Sequence, residues 1–112
     1  MTENLVTNTL LSEKNVVSIL VCLYILGPKT RTELYKMIST NPRMPKKLSL
    51  LQEHGLIKPF EMMSGRKTLA LTELGTKYAV TLCNLEKMLG GNVEQYKWNL
   101  LKEIIDGHTI KA

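Results

Sequence analysis

Apolar side chains recur along this chain at helical spacing in five segments and at extended spacing in two. Spacings of three and four residues put side chains on one face of a helix, whereas a short extended run is typical of a strand. The pattern predicts helices over residues 12–26, 31–39, 41–55, 73–89 and 93–105, and strands over residues 57–63 and 67–72. We therefore predict a mainly α fold with a small β-hairpin, with about five helices and two to three short strands.

Residues that begin or end helices mark most of these boundaries. Side chains that can accept hydrogen bonds from free backbone N–H groups stand at each predicted start: Ser12, Thr30 with Glu33, Asn41 before Pro42, Thr72, and Asn92 with Gln95. Glycines stand at most of the ends: Gly27-Pro28, Gly55 and Gly90-Gly91. A glycine can take the left-handed conformation that closes a helix, so these positions predict where each helix stops.

The helix predicted between Asn41 and Gly55 has two unlike faces. Met44, Leu48 and Leu51 share one face, which we expect to be buried. The opposite face carries Arg43, Lys46, Ser49, Leu50 and Glu53. One face is therefore predicted to pack inward, and the other is available to a partner. Pro45 can delay the regular helix until after Met44, which would leave Arg43 at the mouth of the helix.

The two predicted strands follow this helix and form a hairpin. Ser64-Gly65 supplies the turn between them. Arg66 and Lys67 come directly after the turn, so the sequence predicts a basic hairpin tip close to the two-faced helix.

The remaining helices carry more apolar surface than one small core requires. Residues 12–26 are apolar on almost every side, and such a helix must be covered all round. In the helix over 93–105, apolar side chains spread over roughly 200°, about twice the stripe that one core needs. In the helix over 73–89, an inward stripe is predicted for Leu74, Tyr78, Leu82, Leu85 and Leu89. We expect a partner subunit, with an interface formed by Val17, Val21, Tyr24, Val93, Tyr96, Leu100, Leu101 and Ile104.

Positive charge is concentrated in the middle of the chain. The whole chain has a formal net charge of +5, and 44% of its residues are hydrophobic. Residues 29–67 contain nine basic and three acidic residues, a net +6, whereas the segments on either side sum to −1 and 0. This distribution is typical of a surface that binds a polyanion, although a basic face that only aids solubility has the same composition.

The sequence does not contain the residue patterns that disulfide, metal, catalytic or cofactor sites need. Cys22 and Cys83 stand alone within helical patterns, which predicts buried, reduced cysteines without a disulfide or a zinc site. His54 and His108 have no nearby thiol or carboxylate, so no metal site is predicted, and His54 is expected to serve a helix C-terminus. No nucleophile motif, phosphate loop or cofactor motif is present. No segment has the length of a membrane span, and we expect a cytoplasmic protein that is not an enzyme.

The middle of the chain resembles a known family. Residues 32–79 are similar to winged helix-turn-helix transcriptional regulators of the MarR-like, HxlR-like and PadR-like group. Two motifs carry the resemblance: Leu48 and Leu51 before Gly55-Leu56-Ile57, and Leu71-Thr72 before Gly75. The Pro-rich PPRVEY wing that is typical of HxlR-like proteins is absent. The resemblance implies a homodimer, built through the terminal helices, that binds a two-fold symmetric operator.

Charge, helix pattern and hairpin together predict sequence-specific binding to double-stranded DNA. The residues expected to contact DNA are Thr30, Arg31, Arg43, Lys46, Lys47, Ser49, Leu50, Arg66 and Lys67. The helix between Asn41 and Gly55 would enter the major groove, and the hairpin tip would follow the backbone or the minor groove. Thr30 has an alternative role as a helix cap. Leu50 fits a thymine methyl group or, equally, a surface that binds protein.

The predicted organisation is an N-terminal arm over 1–11, a winged helix-turn-helix domain over 12–89, and a C-terminal dimerisation helix and tail over 90–112. The alternative function is a winged-helix module that binds another protein in a larger assembly. A small-molecule effector is compatible with this class of protein, although no residue pattern supports one.

Overall fold

The chain forms six helices and one two-stranded hairpin in the computed structural model, which describes residues 5–109 and, in the last helix, side chains as far as residue 103. In chain order the elements are α1 (Val6–Leu11), α2 (Val16–Leu26), α3 (Arg31–Met37), α4 (Met44–Glu53), β1 (Ile57–Glu61), β2 (Lys67–Leu71), α5 (Glu73–Met88) and α6 (Val93–Thr109). The predicted class, mainly α with a small β-hairpin, is confirmed. Within residues 5–109, no helix is long and apolar enough to cross a membrane.

Helix α2 lies at the centre of the core. It packs against α1, α5, α6 and β2. Its buried residues are Val16, Ile19, Leu20, Val21, Cys22 and Leu23, whereas Val17 and Tyr24 stay exposed. The chain itself thus covers most of this apolar helix, and only the exposed side chains are left for the partner subunit that the sequence predicts.

Local capping accounts for the starts of α3, α5 and α6. Thr30 and Glu33 form a complete capping box: the Glu33 backbone N–H donates to the Thr30 hydroxyl (3.1 Å), and the Thr30 backbone N–H donates to the Glu33 carboxylate (2.9 Å). Thr72 accepts from the Gly75 N–H (2.9 Å), and Asn92 accepts from the Gln95 N–H (2.9 Å). These three predicted starts are confirmed.

The hairpin follows α4 after Gly55, whose φ of 71° is the predicted left-handed helix end. Ile57 pairs with Leu71 and Glu61 with Lys67 in an antiparallel register. A third extended residue joins the sheet, because Lys29 and Leu69 exchange both backbone hydrogen bonds (3.1 and 2.8 Å). This pairing fastens the base of the hairpin to the segment just before α3.

The end of α4 and the start of α5 meet directly. The Thr72 backbone N–H donates to the Leu56 carbonyl (3.0 Å), and the Thr72 hydroxyl donates to the Gly55 carbonyl. Gly75 lies against the Leu56 backbone, and a Cβ at this position would collide with the Leu56 carbonyl oxygen. The two short motifs after α4 and before α5 therefore form one contact, in which only glycine fits at position 75.

The N-terminal region differs from the prediction. Residues 6–11 form α1, and its Leu10 is buried in the core. Ser12 ends this helix, with its hydroxyl donating to the Thr9 carbonyl (2.8 Å), and does not cap the next one. Asn15, with φ of 75°, precedes α2. A weakly patterned arm thus contributes a short helix because α2 offers it an apolar surface.

Helix α4 begins later than the Asn41-Pro42 pair predicts. Its first residue is Met44, Arg43 is its N-cap residue, and Pro45 lies in its first turn. The Asn41 side chain still accepts a hydrogen bond from the Arg43 N–H (2.8 Å), in the turn before the helix. The start is therefore delayed, but only to Met44 and not past it as Pro45 indicates, and Arg43 lies at the mouth of α4 as predicted.

Helix α5 buries a different face from the predicted stripe. Its buried residues are Gly75, Ala79, Leu82 and Cys83; Gly75 lies against the Leu56 backbone, and α5 as a whole packs against α2. Of the predicted inward residues, only Leu82 is buried; Tyr78 is half-buried, and Leu74, Leu85 and Leu89 are exposed. The predicted stripe is therefore wrong except for Leu82, and the buried face includes the small residues Gly75 and Ala79, which permit close packing.

Helix α6 folds back on its own chain, where it packs against α2, α3 and α5. Leu100 on α6 and Val21 on α2 are both buried. Both were predicted to lie in the interface, and neither side chain is available to a partner. Val93, Tyr96 and Leu101 are half-buried. A cavity of about 220 Å³ beside Tyr96 separates α6 from α2 and α5. Ile104 lies beyond the side chains that the structure describes.

Candidate nucleic-acid interface

The exposed face of α4 carries three of the predicted DNA-binding residues. Arg43, Lys46 and Ser49 are all exposed. They lie along one shallow groove of about 130 Å³ that runs beside the helix. Met44, Leu48 and Leu51 on the opposite face are fully buried, as predicted. The amphipathic pattern of this segment therefore orients its polar side toward solvent.

Lys47 does not belong to that exposed face, and its prediction as a DNA contact is wrong. The residue is only 4% exposed. It follows Met44 by three positions and precedes Leu51 by four, and this spacing puts it on the buried side of the helix. Its aliphatic stem packs inward while the residue still reaches the groove, in the way that long basic side chains commonly cover apolar surface.

Leu50 is half-buried and packs against the core, not fully exposed as the face pattern predicts. Only its outer part lines the groove. It is thus a much smaller apolar surface than a leucine standing free in solvent, and this weakens its interpretation as a protein-binding site.

Two carboxylates line the same groove: Glu53, which was predicted on the same face as the basic residues, and Glu13, which was not predicted there. Glu53 comes from the last turn of α4, and Glu13 comes from the turn between α1 and α2. Glu53 therefore puts a negative charge at the C-terminal end of α4, whereas Arg43 and Lys46 lie at its start. Glu13 was missed because its position depends on the unforeseen helix α1.

The second group of predicted residues lies where α3 begins. Arg31 is exposed at the first position of the helix. Thr30 is the helix cap, with its hydroxyl and its backbone N–H both bonded to Glu33. The capping role weighed for Thr30 is thus the one observed, and its backbone N–H is already paired with the Glu33 carboxylate.

The hairpin tip reaches this second group through an ion pair. The Arg66 guanidinium lies 2.9 Å from the Glu33 carboxylate. The exposed Lys67 follows Arg66 at the start of β2. The structure thus brings the predicted residues together as two groups, one along the groove of α4 and one where the hairpin tip meets the start of α3.

Glu33 is the electrostatic centre of the second group. Partial burial acts to raise the pKa of its carboxyl, but the hydrogen bond from Thr30 and the Arg66 guanidinium outweigh that effect, with a smaller contribution from Lys29. The net result is a pKa below the ordinary value for a glutamate. Glu33 is therefore an anion at neutral pH. The sequence predicted its role as part of the capping box with Thr30 but not its contact with Arg66.

The cysteines and His54 have structural environments. Cys22 and Cys83 are buried and free, as predicted, and burial raises the pKa of the Cys22 thiol to about 11. The His54 imidazole Nδ1 lies 3.0 Å from the Leu50 carbonyl at the end of α4, which confirms its expected place at a helix C-terminus. Among the described residues, no group of three or more histidine, cysteine, aspartate or glutamate residues is arranged to hold a metal ion.

Comparison of the chain with protein-family models, with curated proteins and with solved structures finds no match.

Proposed function

We propose that this protein is a sequence-specific regulator of transcription that binds double-stranded DNA as a homodimer. In this proposal α3 and α4 form a helix-turn-helix, and the β1–β2 hairpin is its wing. The observation that carries the proposal is the amphipathic helix α4, which buries its apolar face completely and exposes Arg43 and Lys46 at its start. The recognition helix of a helix-turn-helix meets base edges with its N-terminal residues, which is where these cations lie.

The two groups of basic residues have different tasks in this proposal. Arg43 and Lys46 reach phosphates or guanine edges from within the major groove, and Ser49 lies one turn further along the same face. Arg31 and Lys67 contact phosphates on either side of the groove and set the register of the protein on the duplex. The net charge of +6 over residues 29–67 supports this arrangement, because phosphate contacts supply much of the affinity of such proteins.

The homodimer is supported by the apolar surface that one chain leaves uncovered. Met88 is 80% exposed and Leu85 is 47% exposed, both on α5. An apolar face of this kind on a small protein is typical of an association surface. Two-fold symmetric pairing would present two copies of α4 to an inverted-repeat site. The free, buried cysteines fit a cytoplasmic protein.

Salt-dependent binding to duplex DNA tests the proposal. We expect binding, followed by fluorescence anisotropy with a labelled duplex, to weaken steeply with added salt, with a slope of about −0.9 for each phosphate neutralised. The double substitution Arg43→Ala with Lys46→Ala should weaken binding to all sequences and reduce that slope by about two.

The matched control is Lys102→Ala, which removes an exposed cation from α6, outside the basic segment. An effect of this single control on the logarithm of the binding constant that is about half that of the double substitution would show that only the total charge matters. Salt-independent binding, or no binding to any duplex selected from a random pool, would contradict the proposal. An inverted repeat among the selected duplexes is the expected result for a symmetric dimer.

A module that binds another protein is the second candidate, favoured by the exposed apolar side chains of α5. It requires a stable complex with a different protein at salt concentrations that abolish DNA binding. Chromatography of the purified complex at high salt distinguishes the two candidates, because contacts between apolar surfaces survive screening whereas phosphate contacts do not.

A further inference from the structure

One carboxylate serves both the start of α3 and the hairpin tip. One oxygen of Glu33 accepts the Thr30 N–H at 2.9 Å, and the other lies 2.9 Å from the Arg66 guanidinium. Within the described part of the chain, the only other ion pair is the looser one between Glu73 and Lys77 on α5 (3.9 Å). Of the cations in residues 29–67, Arg66 is therefore the one that forms an ion pair within the described part of the chain.

Hydrogen bonds hold the backbone around Arg66 in place, so the position of its positive charge depends on the conformation of its side chain. The Met62 N–H donates to the Arg66 carbonyl (2.9 Å), and the Gly65 N–H donates to the Met62 carbonyl (2.8 Å). The Lys29–Leu69 pairing fixes the base of the hairpin beside the start of α3. The guanidinium can reach Glu33 in this geometry, and a rotation of its side chain would turn it to solvent.

We propose that Glu33 is an intramolecular competitor for Arg66, so that Arg66 at the wing tip contacts DNA only by exchanging this carboxylate for a phosphate. The inference rests on the proposed function and adds a positioning residue to it. The Glu33 carboxylate and a phosphate present the same kind of acceptor to a guanidinium, and Arg66 cannot pair fully with both. Glu33 thus lowers the net contribution of Arg66 to DNA binding and holds the tip in one orientation in the free protein.

The exchange is inexpensive because the pair is partly open to water. The Arg66 side chain is 52% exposed. Ion pairs between exposed side chains contribute little, and the measured range corresponds to about a two- to fivefold change in an equilibrium constant. DNA phosphates can therefore displace Glu33, and the carboxylate tunes affinity without preventing binding.

Glu33→Gln separates the two tasks of this side chain. Glutamine serves in a capping box as well as glutamate does, so the hydrogen bond from the Thr30 N–H is kept while the ion pair to Arg66 is lost. We expect this variant to bind duplex DNA about two- to fivefold more tightly, with a salt slope steeper by up to about one. Equal or weaker binding by Glu33→Gln would overturn the proposal.

Two further variants distinguish competition from a general change in charge. Glu61→Gln removes the same charge from the exposed end of β1, and Glu61 is not among the ion-paired residues of the described chain. Its effect on affinity should be smaller than that of Glu33→Gln. In an Arg66→Ala background, the gain from Glu33→Gln should disappear. A gain that persists without Arg66 would refute direct competition.

A measurement on the free protein keeps the inference testable without DNA. We expect nuclear magnetic resonance titration to find the pKa of Glu33 below its ordinary value, and Arg66→Ala to raise it. An unchanged Glu33 pKa in Arg66→Ala would show that the ion pair does not form in solution. If the ion pair forms but the wild-type protein binds no duplex, the proposed function fails, and the role of Glu33 in DNA binding fails with it.

Discussion

At the scale of single residues, position on a helix decides more than residue type. Lys47 and Lys46 are adjacent and chemically identical, yet Lys47 is buried and Lys46 is exposed. The difference follows from the 100° step of the helix, which puts Lys47 about 40° from Leu51, at the edge of the inner face, and Lys46 about 160° from Met44, on the outer face. The sequence contained this information, and the error arose because all the lysines of a basic stretch were treated alike.

The contact of Glu33 with Arg66, in contrast, could not be predicted from the sequence. It joins residues 33 positions apart in the chain, and no local pattern predicts it.

The Tyr78 hydroxyl lowers the stability of the folded protein. It is buried, and no protein group in the described part of the chain forms a hydrogen bond with it. We expect Tyr78→Phe to raise the free energy of unfolding by about 1 kcal/mol, because the variant no longer buries an unpaired polar atom. Urea denaturation monitored by circular dichroism measures the change.

Thr68→Val is the matched control, since the buried Thr68 hydroxyl does have a partner and donates to the Phe60 carbonyl at 2.7 Å. This variant should lose about 1 kcal/mol. A comparable loss of stability in Tyr78→Phe would mean that the Tyr78 hydroxyl is paired in solution, and would contradict the prediction.

At the scale of elements, most starts and ends follow from neighbouring residues. Capping boxes, threonine caps and left-handed glycines act within about four positions, so the sequence was sufficient to predict α3, α5 and the hairpin. The face that α5 buries was not predictable in the same way. Its leucine stripe and its small-residue side are both plausible inner faces, and the packing partner α2 selects between them.

Gly75 provides a test of the contact between the end of α4 and the start of α5. Gly75→Ala should lower the free energy of unfolding by about 2–3 kcal/mol, because the new methyl group would meet the Leu56 backbone and backbone cannot move aside as a flexible side chain can. Thermal and urea denaturation both report this loss.

Gly90→Ala is a useful comparison, because Gly90 has φ of 82° but open space around its Cβ position. Only the left-handed backbone opposes this substitution, which should cost about 1–2 kcal/mol. If Gly75→Ala were as stable as the wild-type protein, the close approach between these two segments would be refuted.

At the scale of the whole molecule, the uncovered apolar surface is only partly where the sequence predicted it, because Val17 and Tyr24 of the predicted interface are exposed. The predicted interface included Val21 and Leu100, which the chain buries within its own core. The exposed apolar side chains of α5 were predicted to face inward. Exposed apolar side chains lie on α5, at Val17 and Tyr24 on α2, at Trp98 on α6, and at Leu5 and Val6 where α1 begins. We propose the α5 surface as the one that a second copy covers.

The association surface can be tested with one charged substitution on each helix. We expect the wild-type protein to sediment as a dimer at micromolar concentration and Met88→Glu to sediment as a monomer with unchanged circular dichroism, because the substitution would bury a charge in the interface. Trp98 is 58% exposed on α6, and Trp98→Glu should leave the dimer intact. Dissociation by Trp98→Glu alone would restore α6 as the interface, and a monomeric wild-type protein would refute dimerisation.

The sequence by itself determined the properties that depend on short range. The mainly α class with a hairpin, the capped helix starts, the buried face of α4 and the basic middle segment all follow from residues within a few positions of one another. Tertiary structure alone decided the helix over residues 6–11, the buried face of α5, the groove carboxylate Glu13 and the ion pair between Glu33 and Arg66. Each of these depends on which elements pack together, and burial and Coulomb interactions act through space between residues that the chain order keeps apart.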